Sequence, residues 1–137
     1  MFAGGSLFTE NGIIAGSQIG CMATNILVVN NLRDIQTDSE AGKRTISNLL
    51  GYKAGRWELV LSVALTHVQG LRWLTKGLIF AFLLPLITLP YTLHLINGIF
   101  STQPSKQYNQ FLHQWSLLHL LFSFALTMGL IVSRPFS

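Results

Sequence analysis

Hydrophobic residues form four long stretches along the chain, and short polar segments separate them. The stretches are 12–29, 57–71, 78–100 and 115–132. A helix needs about 20 mostly apolar residues to cross the hydrocarbon core of a bilayer, so the pattern predicts four membrane helices. Pro85 and Pro90 interrupt the third stretch, where prolines are tolerated and usually mark a kink. His67 and Gln69 interrupt the second, which is also the shortest.

Composition supports this prediction. Half of the 137 residues are hydrophobic and 10% are charged, against roughly 25% in a typical soluble domain. We therefore expect an all-α integral membrane helical bundle that forms a single membrane domain over 1–137. In such a protein the net charge of +4 does not indicate nucleic-acid binding. The single cysteine, Cys21, excludes an internal disulfide.

Charge is concentrated in the predicted connection 30–56, which holds five of the nine Lys and Arg residues. Together with the polar segment 101–110, this side of the predicted bundle carries six basic residues. The other side carries three, namely Arg72, Lys76 and Arg134. The positive-inside rule then predicts that the loop 30–56 is cytoplasmic and that both termini lie on the opposite side.

The same connection begins with a polar stripe. Asp34 and Asp38 are four residues apart, and Asn30 precedes them by one more helical turn. On a helix this spacing places all three on one face. Two neighbouring carboxylates repel each other, and a divalent cation is the best reason for keeping them together. Mg²⁺ binds carboxylate oxygens and leaves positions open for phosphate.

Two cations, Lys43 and Arg44, follow directly after Gly42. A glycine allows a sharp turn, which would bring these cations back over the carboxylates. A metal held by carboxylates and flanked by cations suits an anionic ligand such as a diphosphate. The alternative is a solvated loop of mixed charge that only sets the topology, since two acids at this spacing are a weak pattern by themselves.

The sequence of residues 30–45, NNLRDIQTDSEAGKRT, resembles the second aspartate-rich motif of the UbiA superfamily of membrane prenyltransferases. Its opening, and the Thr-Asp and Ala-Gly-Lys steps that follow, look like the menaquinone-pathway branch, which prenylates 1,4-dihydroxy-2-naphthoate. The resemblance implies that Asp34 and Asp38 bind Mg²⁺ and are catalytic. It also implies a set of residues that binds the diphosphate: Asn30, Asn31, Arg33, Lys43 and, beside it, Arg44.

The activity implied by this resemblance is transfer of a polyprenyl group from polyprenyl diphosphate to 1,4-dihydroxy-2-naphthoate, giving demethylmenaquinone. The protein would lie in the cell (inner) membrane, with the acidic loop in the cytoplasm and membrane lipid around its helices.

The chain departs from the family pattern in two respects. Family members are longer and carry an earlier NDxxDxxxD motif, whereas the only acid before Asn30 is Glu10. We therefore expect the C-terminal half of a fold of about nine helices, with a possible separate N-terminal half as partner. The family also has a cation where this chain has Leu49. The alternatives are another UbiA-type aromatic prenyltransferase, or a non-catalytic membrane remnant or subunit.

Overall fold

The computed structural model describes residues 10–133, except the side chains of Gln36, Ser47 and Asn48. Within these residues the chain forms helices and no strands, which confirms the all-α prediction. The helices are α1 (Glu10–Arg33), α2 (Ile35–Glu40), α3 (Ile46–Leu50), α4 (Tyr52–Thr75), α5 (Ile79–Leu86), α6 (Leu89–Ser101) and α7 (Tyr108–Ser133).

Helix α1 is central to the bundle, because it packs against both α4 and α7, while α5 packs along α7. The core between them is apolar and includes large buried side chains such as Trp73, Tyr108, Trp115 and Phe122. Many other apolar side chains point outwards, for example Leu120 and Phe124, which are 65% and 67% exposed. An apolar exterior around a packed core is what a bilayer requires of a helical bundle.

The third predicted stretch, 78–100, is a bent helix pair. Helices α5 and α6 meet at 42° across a short break, with Pro85 inside α5 and Pro90 in the first turn of α6. The predicted kink is therefore confirmed. The Thr88 hydroxyl donates to the Pro85 carbonyl at 2.7 Å, which illustrates how a threonine side chain satisfies a backbone acceptor at such a break.

Among residues 10–133, two helices, α1 and α7, are long and apolar enough to cross a membrane, and the number of spans is three if α5 and α6 form one span. The second predicted stretch, 57–71, lies within α4. This helix has 24 residues, but it does not reach the apolar character of the other spans in the described part of the chain. Of the four predicted spans, two or three are therefore found among residues 10–133, and the second is not, because α4 is too polar.

Part of this polar composition serves the contact between α4 and α1. The carboxamide of Gln18, 2% exposed on α1, donates to the Thr66 carbonyl at 3.0 Å and accepts from the Trp73 indole N–H at 2.7 Å. The Ser62 hydroxyl donates to the Cys21 carbonyl at 2.8 Å. These bonds fix α4 against α1 through polar contacts, which helices in membranes often use for association.

We expect Gln18→Leu to destabilise the bundle by about 1–3 kcal/mol, because it leaves the buried indole N–H of Trp73 without its acceptor. The measurement is the unfolding midpoint of the full chain in detergent. Gln110→Leu is the matched control, since Gln110 is exposed and surface changes of this kind usually stay within about 0.5 kcal/mol. An unchanged midpoint for Gln18→Leu would show that the network contributes nothing.

Candidate functional site

The polar groups of the 30–56 segment lie at one end of the bundle, together with the start of α7 and the link that precedes it. The Arg33 guanidinium donates to the Asn109 side chain of α7 at 2.7 Å, and Arg56 donates to the Thr102 carbonyl at 2.7 Å. At the opposite end Glu10 forms ion pairs with Arg72, in the last turn of α4, and with Lys76, which directly follows that helix. Apart from Arg134, which lies outside the described residues, the basic residues group by end as the sequence analysis expected.

The segment 30–56 is more ordered than a connecting loop. It contains the end of α1, the short helices α2 and α3, and the first turn of α4. Helix α1 ends before Asp34, yet the Asp34 N–H donates to the Asn30 carbonyl at 3.1 Å and the Asp38 N–H donates to the Asp34 carbonyl at 2.8 Å. The i to i−4 path therefore continues through the break, and Asn30, Asp34 and Asp38 follow one another at steps of one helical turn.

Asp34 is engaged in a tight ion pair. Nε and Nη2 of Arg33 each donate to a carboxylate oxygen of Asp34 at 2.8 Å. The same guanidinium donates to Asn30 at 2.6 Å and to Asn109 at 2.7 Å. Hydrogen bonding from the Arg33 guanidinium, with Coulombic help from Arg33 and Lys43, keeps the pKa of the Asp34 carboxyl below its usual range. Asp34 is therefore anionic at neutral pH.

Asp38 pairs with Lys43 instead, at a longer distance. Its Oδ2 atom lies 3.7 Å from Nζ of Lys43, which is an ion pair but not a hydrogen bond. Among the described residues this buried oxygen has no hydrogen-bond partner, and neither does Oδ1 of Asn31. Buried acceptors without partners are costly, which makes these two oxygens candidates for contact with a ligand.

A turn at Gly42 brings Lys43 to Asp38. Gly42 has a φ of 78°, a left-handed conformation that glycine adopts without strain. Its N–H donates to the Ser39 carbonyl at 3.2 Å, and the Lys43 N–H donates to the Asp38 carbonyl at 2.8 Å. The predicted turn is confirmed for Lys43. Arg44 is exposed and, in the part of the chain that the structure describes, forms no ion pair with Asp34 or Asp38.

The structure also shows the surroundings of Leu49, the position where the family has a cation. Leu49 is 62% exposed and Lys53 is exposed. Arg56 is 7% exposed, with its guanidinium 4.7 Å from the centre of the Tyr52 ring. Arg56 also donates to a backbone carbonyl, which anchors the start of α4, while its buried Nε atom has no hydrogen-bond partner among the described residues.

The oxygen donors present suit a magnesium ion that shares its ligands with a phosphate group. No group of three or more His, Cys, Asp and Glu side chains that could hold a metal occurs among residues 10–133. The end of the bundle instead offers two carboxylates, at Asp34 and Asp38, and the carboxamide oxygen of Asn31. Mg²⁺ typically binds through one or two carboxylates plus substrate phosphates and waters, so this small donor set fits that use.

The fold defines an integral membrane helical bundle, and its charged side chains gather at the two ends. Over 121 aligned residues the chain is 32% identical to a 1,4-dihydroxy-2-naphthoate octaprenyltransferase of Haemophilus influenzae, and the match covers 82% of this chain. It covers 37% of the relative, so the chain spans little more than a third of that protein's length. No family model matches the chain, and no solved structure matches it either. The chain belongs to the UbiA-type membrane prenyltransferases, as a partial chain of that family.

Sequence reasoning did not identify Asn109. This residue lies 76 positions after Arg33, in the first turn of α7, and nothing in the motif at 30–45 points to it. Only the packing of α7 against α1 places its side chain beside the Arg33 guanidinium.

Proposed function

We propose that this chain forms part of a Mg²⁺-dependent prenyltransferase that moves a polyprenyl group from polyprenyl diphosphate to 1,4-dihydroxy-2-naphthoate. Two observations together carry the proposal. A relative bears the name of this activity, and one end of the bundle holds acidic side chains flanked by cations. Such an end suits a diphosphate bound through a divalent ion.

In this proposal the two aspartates hold the metal. Asp38 and Asn31 contribute oxygens that have no hydrogen bond in the described part of the chain, and Asp34 contributes its carboxylate. Lys43, with its Nζ 3.7 Å from Asp38, and Arg33 supply positive charge to the diphosphate oxygens. Asn30 orients Arg33 through its 2.6 Å hydrogen bond. Arg44, being exposed, joins only if it turns inwards on binding.

Bound Mg²⁺ supplies positive charge against the leaving diphosphate. The protein's part is to place Lys43 and Arg33 where that negative charge grows, which is the general way in which leaving groups of this kind are stabilised. The allylic C–O bond breaks with its electron pair going to diphosphate. The electron-rich naphthoate ring then forms the new C–C bond, and the ring carboxylate leaves as CO₂. The product is the quinol form of demethylmenaquinone.

The surroundings in this proposal are those of a cell (inner) membrane. The outward-facing apolar side chains of α1 and α7 contact lipid, and the end that bears Asp34 and Asp38 faces the cytoplasm. The six basic residues at this end, against Arg72 and Lys76 at the other end of the described part of the chain, support the orientation through the positive-inside rule.

We further propose that this chain acts together with a separate N-terminal half that carries the first aspartate-rich motif. Support comes from the length of the match, since the aligned part covers 37% of the relative. A second motif would complete a metal site for which this chain supplies two carboxylates. The rival functions are prenylation of a different aromatic acceptor and a non-catalytic role as a membrane subunit or remnant.

We expect membranes that contain this chain alone to show negligible prenyl transfer, because half of the proposed metal site is absent. Co-expression with a segment carrying the first motif is expected to produce transfer, with 1,4-dihydroxy-2-naphthoate preferred over 4-hydroxybenzoate as acceptor. The measurement is formation of radiolabelled prenylated product from each acceptor. Transfer by the chain alone that Asp34→Ala abolishes would contradict the two-part proposal, and a preference for 4-hydroxybenzoate would contradict the proposed acceptor.

A further inference from the structure

The Arg33 guanidinium is the most heavily used polar group at this end of the bundle. Its N–H groups make four hydrogen bonds, two to Asp34 and one each to Asn30 and Asn109. Three of these bonds stay within adjoining turns of α1 and the start of α2. The fourth joins the end of α1 to the first turn of α7, and no other described hydrogen bond between side chains links these two places.

The two aspartates differ in the hydrogen bonding of their carboxylate oxygens. Both oxygens of Asp34 accept from Arg33 at 2.8 Å, whereas Oδ2 of Asp38 has no hydrogen bond among the described residues. A dication at Asp34 would face the guanidinium at close range, and such like charges repel strongly in a partly desolvated site. The Asp34 carboxylate therefore cannot serve a metal well until Arg33 moves away from it.

We propose that Arg33 is the internal counter-ion of Asp34, and that Asn109 is a positioning residue which keeps Arg33 within the site. The inference rests on the proposed function: with metal and diphosphate bound, Asp34 would ligate the metal and Arg33 would turn from Asp34 to the diphosphate. Asn109 accepts a hydrogen bond without adding charge, so it holds the guanidinium near the site while Arg33 exchanges one anionic partner for another. Asp38, already without a hydrogen bond at Oδ2, is the first ligand to receive the metal.

The exchange predicts opposite effects on two binding reactions, which a simple loss of structure would not produce. Removing the counter-ion exposes Asp34 to metal, so binding of metal alone becomes tighter. Removing it also takes a cation from the diphosphate, so binding of inorganic diphosphate in the presence of metal becomes weaker. A charged hydrogen-bonding group is worth about tenfold in affinity, and a neutral one about threefold.

The test uses the full chain in detergent, with Mn²⁺ as a spectroscopic substitute for Mg²⁺. Free Mn²⁺ is followed by electron paramagnetic resonance, with and without inorganic diphosphate. For Arg33→Gln we expect Mn²⁺ alone to bind about tenfold more tightly and diphosphate with Mn²⁺ about tenfold more weakly. For Asn109→Ala we expect the same two directions, each about threefold. Gln110→Ala, an exposed neighbour on α7, is the matched control and should change neither affinity.

The outcomes separate the inference from the proposed function. The proposed metal site is wrong if, in the presence of diphosphate, the wild-type chain does not bind Mn²⁺ or if Asp38→Asn leaves that binding unchanged. The inference then fails as well. The metal site stands but the counter-ion role is overturned if wild-type binding of Mn²⁺ depends on Asp38, yet neither Arg33→Gln nor Asn109→Ala tightens the binding of Mn²⁺ alone. Opposite shifts in Arg33→Gln without any shift in Asn109→Ala would overturn the role of Asn109.

Discussion

Asp38→Asn is expected to weaken Mg²⁺-dependent binding of a polyprenyl diphosphate by at least about a hundredfold. Even the groups that merely orient metal ligands are worth 10–100-fold in metal affinity, and Asp38 is proposed as a direct ligand. Asparagine keeps the shape of the side chain but removes its negative charge, and with it the ion pair to Lys43 at 3.7 Å. The measurement is equilibrium binding of the diphosphate to the full chain in detergent, as a function of Mg²⁺ concentration.

Glu40→Gln is the matched control for this variant. It removes one negative charge from the same short helix, α2, at an exposed position. We expect it to change the binding by less than about threefold, because exposed charges are screened by solvent and salt. Equal losses in the two variants would mean that the site responds only to net charge. Binding that is independent of Mg²⁺ in the wild type would instead favour the non-catalytic remnant.

Gly129→Ala is expected to produce the largest loss of stability, about 3 kcal/mol. Gly129 lies where α7 crosses α5, and a methyl group there would come within 2.8 Å of the Cα atom of Ala81 and closer still to the Phe80 carbonyl oxygen. Both obstacles are backbone atoms, which cannot turn aside as a side chain can. The helices must therefore separate, and interior packing of normal density is lost along the contact. The unfolding midpoint in detergent measures the effect.

Gly20→Ala provides the control for that substitution. Gly20 is also in a helix, α1, but a methyl group at this position meets no atom within 4 Å. Alanine is the better helix former by up to about 1 kcal/mol, so stability should be unchanged or slightly higher. A Gly129→Ala protein as stable as Gly20→Ala would show that α5 and α7 do not approach as closely as the structure has them.

The local features of this protein follow from its sequence because they depend on covalent geometry and on short-range hydrogen bonds. Four residues make about one helical turn, so the spacing of Asp34 and Asp38 predicts that they lie one turn apart wherever the helix continues. A glycine at position 42 predicts the turn that brings Lys43 to Asp38. Pro85 and Pro90 predict a kink, and the bend of 42° lies between them.

Only the tertiary structure decided the polar contacts that are distant in sequence. The polar residues of α4 make it a weaker prediction as a membrane span. The structure shows that α4 packs against α1 partly through polar groups: the side chains of Gln18 and Trp73, 55 positions apart, form a hydrogen bond. The position of Arg56 in a charged segment is typical of an exposed residue. In the structure it is buried, in contact with the Tyr52 ring and the Thr102 carbonyl.

The sequence by itself determined the helical class, the apolar spans and the neighbourhood of Asp34, Asp38 and Lys43, because each depends on residues within a few turns of one another. The structure alone decided that Asp34 is paired while Asp38 has an oxygen without a hydrogen bond. It also decided that Asn109 reaches Arg33 across 76 positions of sequence. Such a contact depends on how α1 and α7 pack, and no local pattern encodes the angle and depth at which two helices meet.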